Sequence, residues 1–423
     1  MIKVNQFIQS LKPSSTLAIN QKVKKLKIDG KTVFHFGFGQ SPFPIHYSIT
    51  NALKSYAKDN NYLPTNGLEL LREEISVFLK NHQGVSFNPN DIFIGPGSKE
   101  LLYQTILILE GVFLIPKGSW VSYLPQIKSK NGSYEILETK LDNDYKLTAK
   151  VLEEYCKQNS DIQKTLILNS PNNPTGAVYS DEELKALAVI CREYNIIVLS
   201  DEIYSQINFN ENFSPSMAKY HPDLTIVFGG LSKVFSAGGY RLGFMALPKG
   251  LQELKNLYTS LFSETFSAVA SPIQYAAVTA YMYQKPIQDY VKQSSDILKM
   301  ISTYVYKNLT NIGVSCTKPK GAFYMMIGFE NFKNELKTIG IETSNQLADY
   351  LLENYSVALL PSTDFYFQKE ELFFRLAFVD FNGEKALNAI KDFDGDINKF
   401  IKNQCPSIYY GIQEIIKCVN DLQ

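Results

Sequence analysis

A lysine able to attack an aldehyde stands in Phe228-Gly229-Gly230-Leu231-Ser232-Lys233, and a guanidinium, Arg241, follows eight residues later. Upstream come an amide, Asn173, in Asn172-Asn173-Pro174-Thr175-Gly176, then a carboxylate and a phenol, Asp201 and Tyr204, in Ser200-Asp201-Glu202-Ile203-Tyr204. Lysine is a poor nucleophile while protonated, but burial or nearby cations lower its pKa enough for Schiff-base chemistry. A carboxylate can pair with a pyridinium N–H and keep the ring an electron sink, while a phenol and an amide can bind a ring oxygen. The set suits pyridoxal phosphate (PLP), whose aldehyde needs an amine and whose ring nitrogen needs such a partner. Taken alone, the lysine string also fits a surface turn, since Gly229, Gly230, Gly238 and Gly239 would serve a turn as well as close approach to a ring.

Such groups need elements to hold them. Short β-branched runs at 91–95, 112–115, 165–169, 196–200, 225–228 and 243–247 alternate with longer amphipathic stretches. They are apolar on both faces of the pleat, as strands covered by helices on two sides are. Between them, 181–190 reads as a helix with Ser180 as its N-cap. The alternation predicts an α/β fold with a mainly parallel sheet. Asp201 then falls at the C-terminal end of a strand, where open parallel sheets place ligand contacts.

Gly95-Pro96-Gly97-Ser98-Lys99-Glu100 joins a strand to the helix that starts near Leu101, and helix-start N–H groups suit a phosphate. Any strand-to-helix turn favours glycine, so this signal is weak by itself. Arg241 could clamp the same phosphate bidentately or form a structural ion pair. Further on, 294–310 reads as a long helix, 321–327 and 372–378 as strands, and 344–354 and 384–392 as helices, together an α+β module. The expected division is an N-terminal arm with part of the small domain over 1–45, a large cofactor domain over 46–285, and a small domain over 286–423.

Lys plus Arg equals Asp plus Glu at 42 each, so there is no electrostatic case for a nucleic-acid partner. The basic run from Lys22 to Lys27 reads as a solvated helix face or a loop. Five scattered cysteines and four unclustered histidines argue against a disulfide framework or a metal site and fit a reducing compartment. The start lacks the apolar core of a signal peptide, and the apolar stretch 101–115 is broken by Gln104, Glu110 and Gly111 and is too short to cross a bilayer. A soluble, cytoplasmic protein without a membrane partner is expected. An apolar run ending in Asp201-Glu202 could instead belong to a P-loop ATPase, but Lys25 stands where the first glycine before Gly30-Lys31-Thr32 is required.

Together these residues resemble the aspartate aminotransferase family, the class I/II aminotransferases of PLP fold type I. The resemblance runs from about Phe34 to Phe378. Asn173-Pro174-Thr175-Gly176, Asp201-x-x-Tyr204 and Ser232-Lys233-x7-Arg241 match its signatures, with 28 residues from Asn173 to Asp201 and 32 from Asp201 to Lys233. The fold implied is a large, mainly parallel sheet with helices on both faces plus a small α+β domain. The resemblance also implies that Gly97, Ser98, Lys99, Ser232 and Arg241 hold the phosphate, and that Trp120, or failing it Tyr123, stacks on the ring. By the same match Tyr62 reaches the neighbouring subunit's cofactor in a homodimer, Arg375 grips the substrate α-carboxylate beside Asn173, and Gly39 lies in a segment closing over the substrate.

Two departures stand out. Gly230 occupies the place of a common phosphate-binding serine, and Gly39-Gln40-Ser41-Pro42-Phe43 replaces the usual Gly-Glu-Pro-Asp-Phe. The expected activity is a ping-pong transfer of an amino group between an amino acid and a 2-oxo acid, with Lys233 as Schiff-base tether and acid/base, and Asp201 and Tyr204 acting on the ring. The alternative on the same fold is a PLP lyase or synthase. A transcriptional regulator would need a DNA-binding domain that the first 35 residues are too few to form. A non-catalytic scaffold would not need the lysine and its partners.

Overall fold

The computed structural model describes residues 2–9, 11, 13, 15–210 and 213–423, so the expected arm over 1–45 is covered except for 1, 10, 12 and 14. Its central sheet comprises β2 (Ile92–Gly95), β3 (Val112–Pro116), β4 (Ser133–Leu137), β5 (Lys164–Asn169), β6 (Ile197–Asp201), β7 (Thr225–Gly230) and β8 (Gly243–Ala246), following the short β1 (Phe34–His35). Their order is β2-β8-β7-β6-β5-β3-β4. All neighbours are parallel except at β8, which runs antiparallel to both β2 and β7.

The six expected strands are all present, shifted by a residue or two. β4 was not anticipated. Its first three residues, Ser133-Tyr134-Glu135, are exposed at the sheet edge, so it lacks the apolar run that marks its neighbours. Side chains alternate across the sheet. Phe113, Ile167, Leu199 and Phe228 enter one buried cluster, while Leu114, Leu166, Leu168 and Val198 enter another. Two cores on opposite faces are what all-apolar strands require. On the second face the helix Asp181–Glu193 starts at a capping box, with Ser180 accepting from the Glu183 amide and Glu183 returning to the Ser180 amide.

A second sheet, β12-β13-β10-β9, is antiparallel and built from β9 (Ser315–Cys316), β10 (Tyr324–Gly328), β12 (Leu360–Pro361) and β13 (Phe373–Ala377). β11 (Val357–Ala358) pairs in parallel with β1, Phe34 facing Val357. The helix expected over 294–310 starts earlier, at Lys285, where Pro286 occupies the first turn and needs no backbone donor. The strand expected from 321 starts at Tyr324, because Ala322 takes a left-handed conformation with φ 55°. A C-terminal helix, Pro406–Leu422, was also missed. It buries Ile408, Ile412, Ile415 and Val419, and its Gly411 lies so close to Phe36 that a Cβ there would come within 2.5 Å of that ring. Among the described residues no helix is long and apolar enough to cross a membrane.

Candidate active site

The C-terminal ends of β5, β6 and β7, the start of the helix Ser98–Ile108, and the second sheet enclose a cavity of about 500 Å³. It is lined by Gly39, Ser98, Lys99, Trp120, Asn173 and Asp201, and across from them by Tyr204, Ser232, Lys233, Arg241 and Arg375. Every lining residue expected for one subunit is therefore there, apart from Gly97, which abuts Arg241 just behind the wall. Tyr62, expected to reach the neighbouring subunit's cofactor, is 96% exposed and does not line this cavity.

Lys233 donates from Nζ to the Gly39 carbonyl at 2.9 Å. Burial pushes its amine down to about 8, helped by the Arg375 and Arg241 charges and opposed by Asp201. That brings a neutral nucleophile within reach near physiological pH. Asp201 is buried at the end of β6, where Tyr123 donates to its Oδ2 at 2.7 Å. Desolvation raises its carboxyl to about 6, and the bonds from Tyr123 and the Ile203 amide, together with the Lys233 charge, restrain the rise.

Asn169, closing β5, carries two jobs. Its Oδ1 accepts from the Asn173 amide at 2.8 Å, and its Nδ2 donates to the Asp201 carbonyl at 2.8 Å, locking the amide and carboxylate segments together. Arg375, on β13, donates to Asn173 Oδ1 at 3.1 Å and to the Gly37 carbonyl at 2.7 Å. Its guanidinium lies 4.8 Å from the Tyr324 ring centre, and its buried Nε has no partner. A fully buried guanidinium whose Nε is left without a partner is costly unless an anion completes it.

Gly97 has φ 95°, and a Cβ there would sit 2.5 Å from Arg241 Nη2. Arg241 itself adopts φ 51° and donates to the Pro96 and Gly238 carbonyls at 3.1 and 3.0 Å. The helix start and the guanidinium thus form one concave, electropositive corner. Gly230 explains its own departure: a Cβ would meet the Leu242 carbonyl at 2.8 Å and Gly243 Cα at 2.9 Å, leaving no room for a serine. Trp120 faces the cavity with Lys99 Nζ 5.4 Å from its ring centre, whereas Tyr123 stands behind Asp201 as its donor.

Sequence reasoning missed Tyr324. Its hydroxyl lies 3.0 Å from that of Tyr204 and 3.4 Å from the Gly39 carbonyl. No motif marks it among 26 tyrosines. It arrives through the β10–β13 register, which sets Tyr324 opposite Ala377 and Met326 opposite Arg375. Thr16 and Leu17 also line the cavity, from the helix Ser15–Ile28, whose basic run was expected to be a helix face or a loop and whose place at the cavity was not foreseen.

The family "Aminotransferase class I and II" matches residues 31–391. The chain belongs to the class I and II aminotransferases. An aspartate aminotransferase of Geobacillus stearothermophilus is 34% identical over 373 residues, covering 86% of this chain and 92% of that protein. An asparagine–oxo-acid transaminase of Streptococcus mutans is 30% identical over 375 residues, covering 86% and 92%. Among solved structures, the aspartate aminotransferase of Thermus thermophilus with maleate superposes with a TM-score of 0.82 at 26% identity, over 93% of this chain and all of that one. This aminotransferase has the fold type I architecture expected, and its named relatives are all transaminases. The family works with PLP.

Proposed function

We propose that this aminotransferase holds PLP on Lys233 and exchanges amino groups between a dicarboxylic amino acid, aspartate first, and a 2-oxo acid by a ping-pong route. The observation that carries the reading is the meeting of the Lys233 amine, the Asp201 carboxylate and the buried Arg375 guanidinium in one cavity. The residues fit the cofactor on two further counts. The Gly97–Arg241 corner is a cradle that any Cβ would fill, and the donor set matches a ring nitrogen, a ring oxygen and a phosphate.

Bound there, PLP supplies an aldehyde that takes up the amino group and a ring that withdraws electrons from Cα. Everything else falls to the chain. Lys233 is the tether and, once released, carries a proton at Nζ with a pKa suited to neutral pH. Asp201 keeps a negative charge beside the ring nitrogen, Tyr204 and Asn173 bind the ring oxygen, and Trp120 covers one face. Ser98, the amides at Gly97 and Lys99, Ser232 and Arg241 hold the phosphate. Arg375 takes the substrate α-carboxylate, with Asn173 and Gly39 beside it.

Substrate class comes from the names of the relatives and from Lys99. That amine lines the cavity over Trp120, makes no ion pair among the described residues, and is pushed down by burial and by Arg241. A second carboxylate on the substrate would complete it. Tyr62, almost fully exposed, suits a contact with the cofactor of a neighbouring subunit in a homodimer. The division at 1–45, 46–285 and 286–423 and a cytoplasmic location, in keeping with five free cysteines, belong to the same proposal.

Absorbance tests it. Wild-type protein mixed with PLP should develop a Schiff-base band, Lys233→Ala should not, and aspartate should convert the band to that of pyridoxamine phosphate. A wild type without the band sinks the proposal.

A further inference from the structure

A chain of hydroxyls lies just outside the cavity and connects three distant segments. Ser41 Oγ is 2.7 Å from Ser236 Oγ, which is 2.8 Å from Tyr290 Oη. Tyr290 in turn donates to the Pro44 carbonyl at 2.7 Å. The directions follow from the proton count. A carbonyl cannot donate, so the one phenolic proton is spent on Pro44, Ser236 must donate to Tyr290, and Ser41 must donate to Ser236. Each hydroxyl uses its single proton, and none competes for the same acceptor.

The chain's position gives it a role. Ser236 lies three residues after Lys233 and adopts φ 57°, a strained conformation for serine that its two bonds hold in place. Ser41 lies two residues after Gly39, whose carbonyl receives Lys233, and four after Gly37, whose carbonyl receives Arg375. Gln40, between them, faces the cavity. Tyr290 belongs to the long helix Lys285–Thr310, so the anchor is a rigid element.

We propose that Ser41, Ser236 and Tyr290 are positioning residues whose hydroxyl chain latches the 37–44 segment to the turn after Lys233, holding the lid of the amino-acid pocket in place before substrate arrives. Its meaning for substrate rests on the site assignment above. The latch itself does not.

Hydrogen exchange on the protein without substrate reads the latch directly. Ser41→Ala, Ser236→Ala and Tyr290→Phe should each speed exchange in peptides covering 37–44 while leaving peptides from β5 and β6 unchanged. In assays, Ser41→Ala should raise KM for the amino acid about fivefold, the worth of one hydrogen bond, and Ser236→Ala, which breaks two, at least as much, with kcat within about twofold for both. The double variant should be no worse than Ser236→Ala alone, because the two serines share one bond. Ser41→Thr, which keeps the hydroxyl, should restore the wild-type KM. Unchanged exchange in 37–44 or additive effects in the double variant would overturn the latch, and faster exchange with an unchanged KM in the PLP-loaded enzyme would overturn its role in positioning the pocket. Faster lid exchange in a protein that never develops a PLP band would uphold the latch and remove the site assignment instead.

Discussion

Tyr123 donates its hydroxyl to Asp201 across 2.7 Å, and both groups are buried at the foot of the cavity. The bond opposes desolvation, which raises the Asp201 carboxyl to about 6. Removing it in Tyr123→Phe should therefore raise that carboxyl further. Activity that needs ionised Asp201 would be lost first on the acidic side, so the acid limb of the kcat/KM profile should move up by about one pH unit. A limb that stays in place would show that Tyr123 does not tune Asp201.

Lys99 separates dicarboxylic substrates from the rest. Lys99→Gln should lower kcat/KM for aspartate by about tenfold to a hundredfold, as expected for losing a charged hydrogen bond, and leave alanine within a few-fold. The ratio of the two substrates is the measurement. An unchanged ratio would place the distal carboxylate elsewhere.

Glu202 makes a prediction about stability rather than turnover. It is buried behind Asp201 and accepts from Gln83 at 2.6 Å, Ser200 at 2.8 Å and Ser216 at 2.7 Å. Desolvation nonetheless pushes its carboxyl up to about 7 from 4.5. Because the folded pKa exceeds the unfolded one, the folded state binds the proton more tightly. The stabilisation is full below about pH 4.5 and is lost as pH rises through about 7, on the order of 3 kcal/mol in all. In Glu202→Gln that slope should vanish, as Gln83 can turn its amide to accept. Denaturant melts at pH 5 and pH 8 would show a smaller difference in the variant than in the wild type. Equal differences would mean that Glu202 ionises normally.

Much of the site could be read directly from the chain because its chemistry is concentrated in short strings. Asn173, Asp201 and Lys233 follow or close parallel strands of the central sheet, and Arg241 precedes the antiparallel β8, so the sheet topology brings all four to one edge. Arg375 came only from the family resemblance, since its strand lies in the second sheet. Tyr324 escaped because its place depends on antiparallel register, which a single strand does not encode. The Ser41–Ser236–Tyr290 chain escaped for a related reason: serine and tyrosine are common, and only tertiary approach makes three of them a unit. β4 was missed since an edge strand with one wet face carries little apolar signal.

The pairing of Phe34 with Val357 sets the order in which the molecule can be completed. Residues 34–35 leave the ribosome early, yet their strand partner is made more than 300 residues later. The central sheet, contained between residues 92 and 246, can assemble while the rest of the chain is still being translated. The segment that follows β1 cannot settle over Lys233 until β11 has emerged. A nascent chain would thus carry its reactive amine uncovered while the 124 residues that follow Lys233 up to Val357 are made, with cofactor capture possible before the pocket acquires its cover.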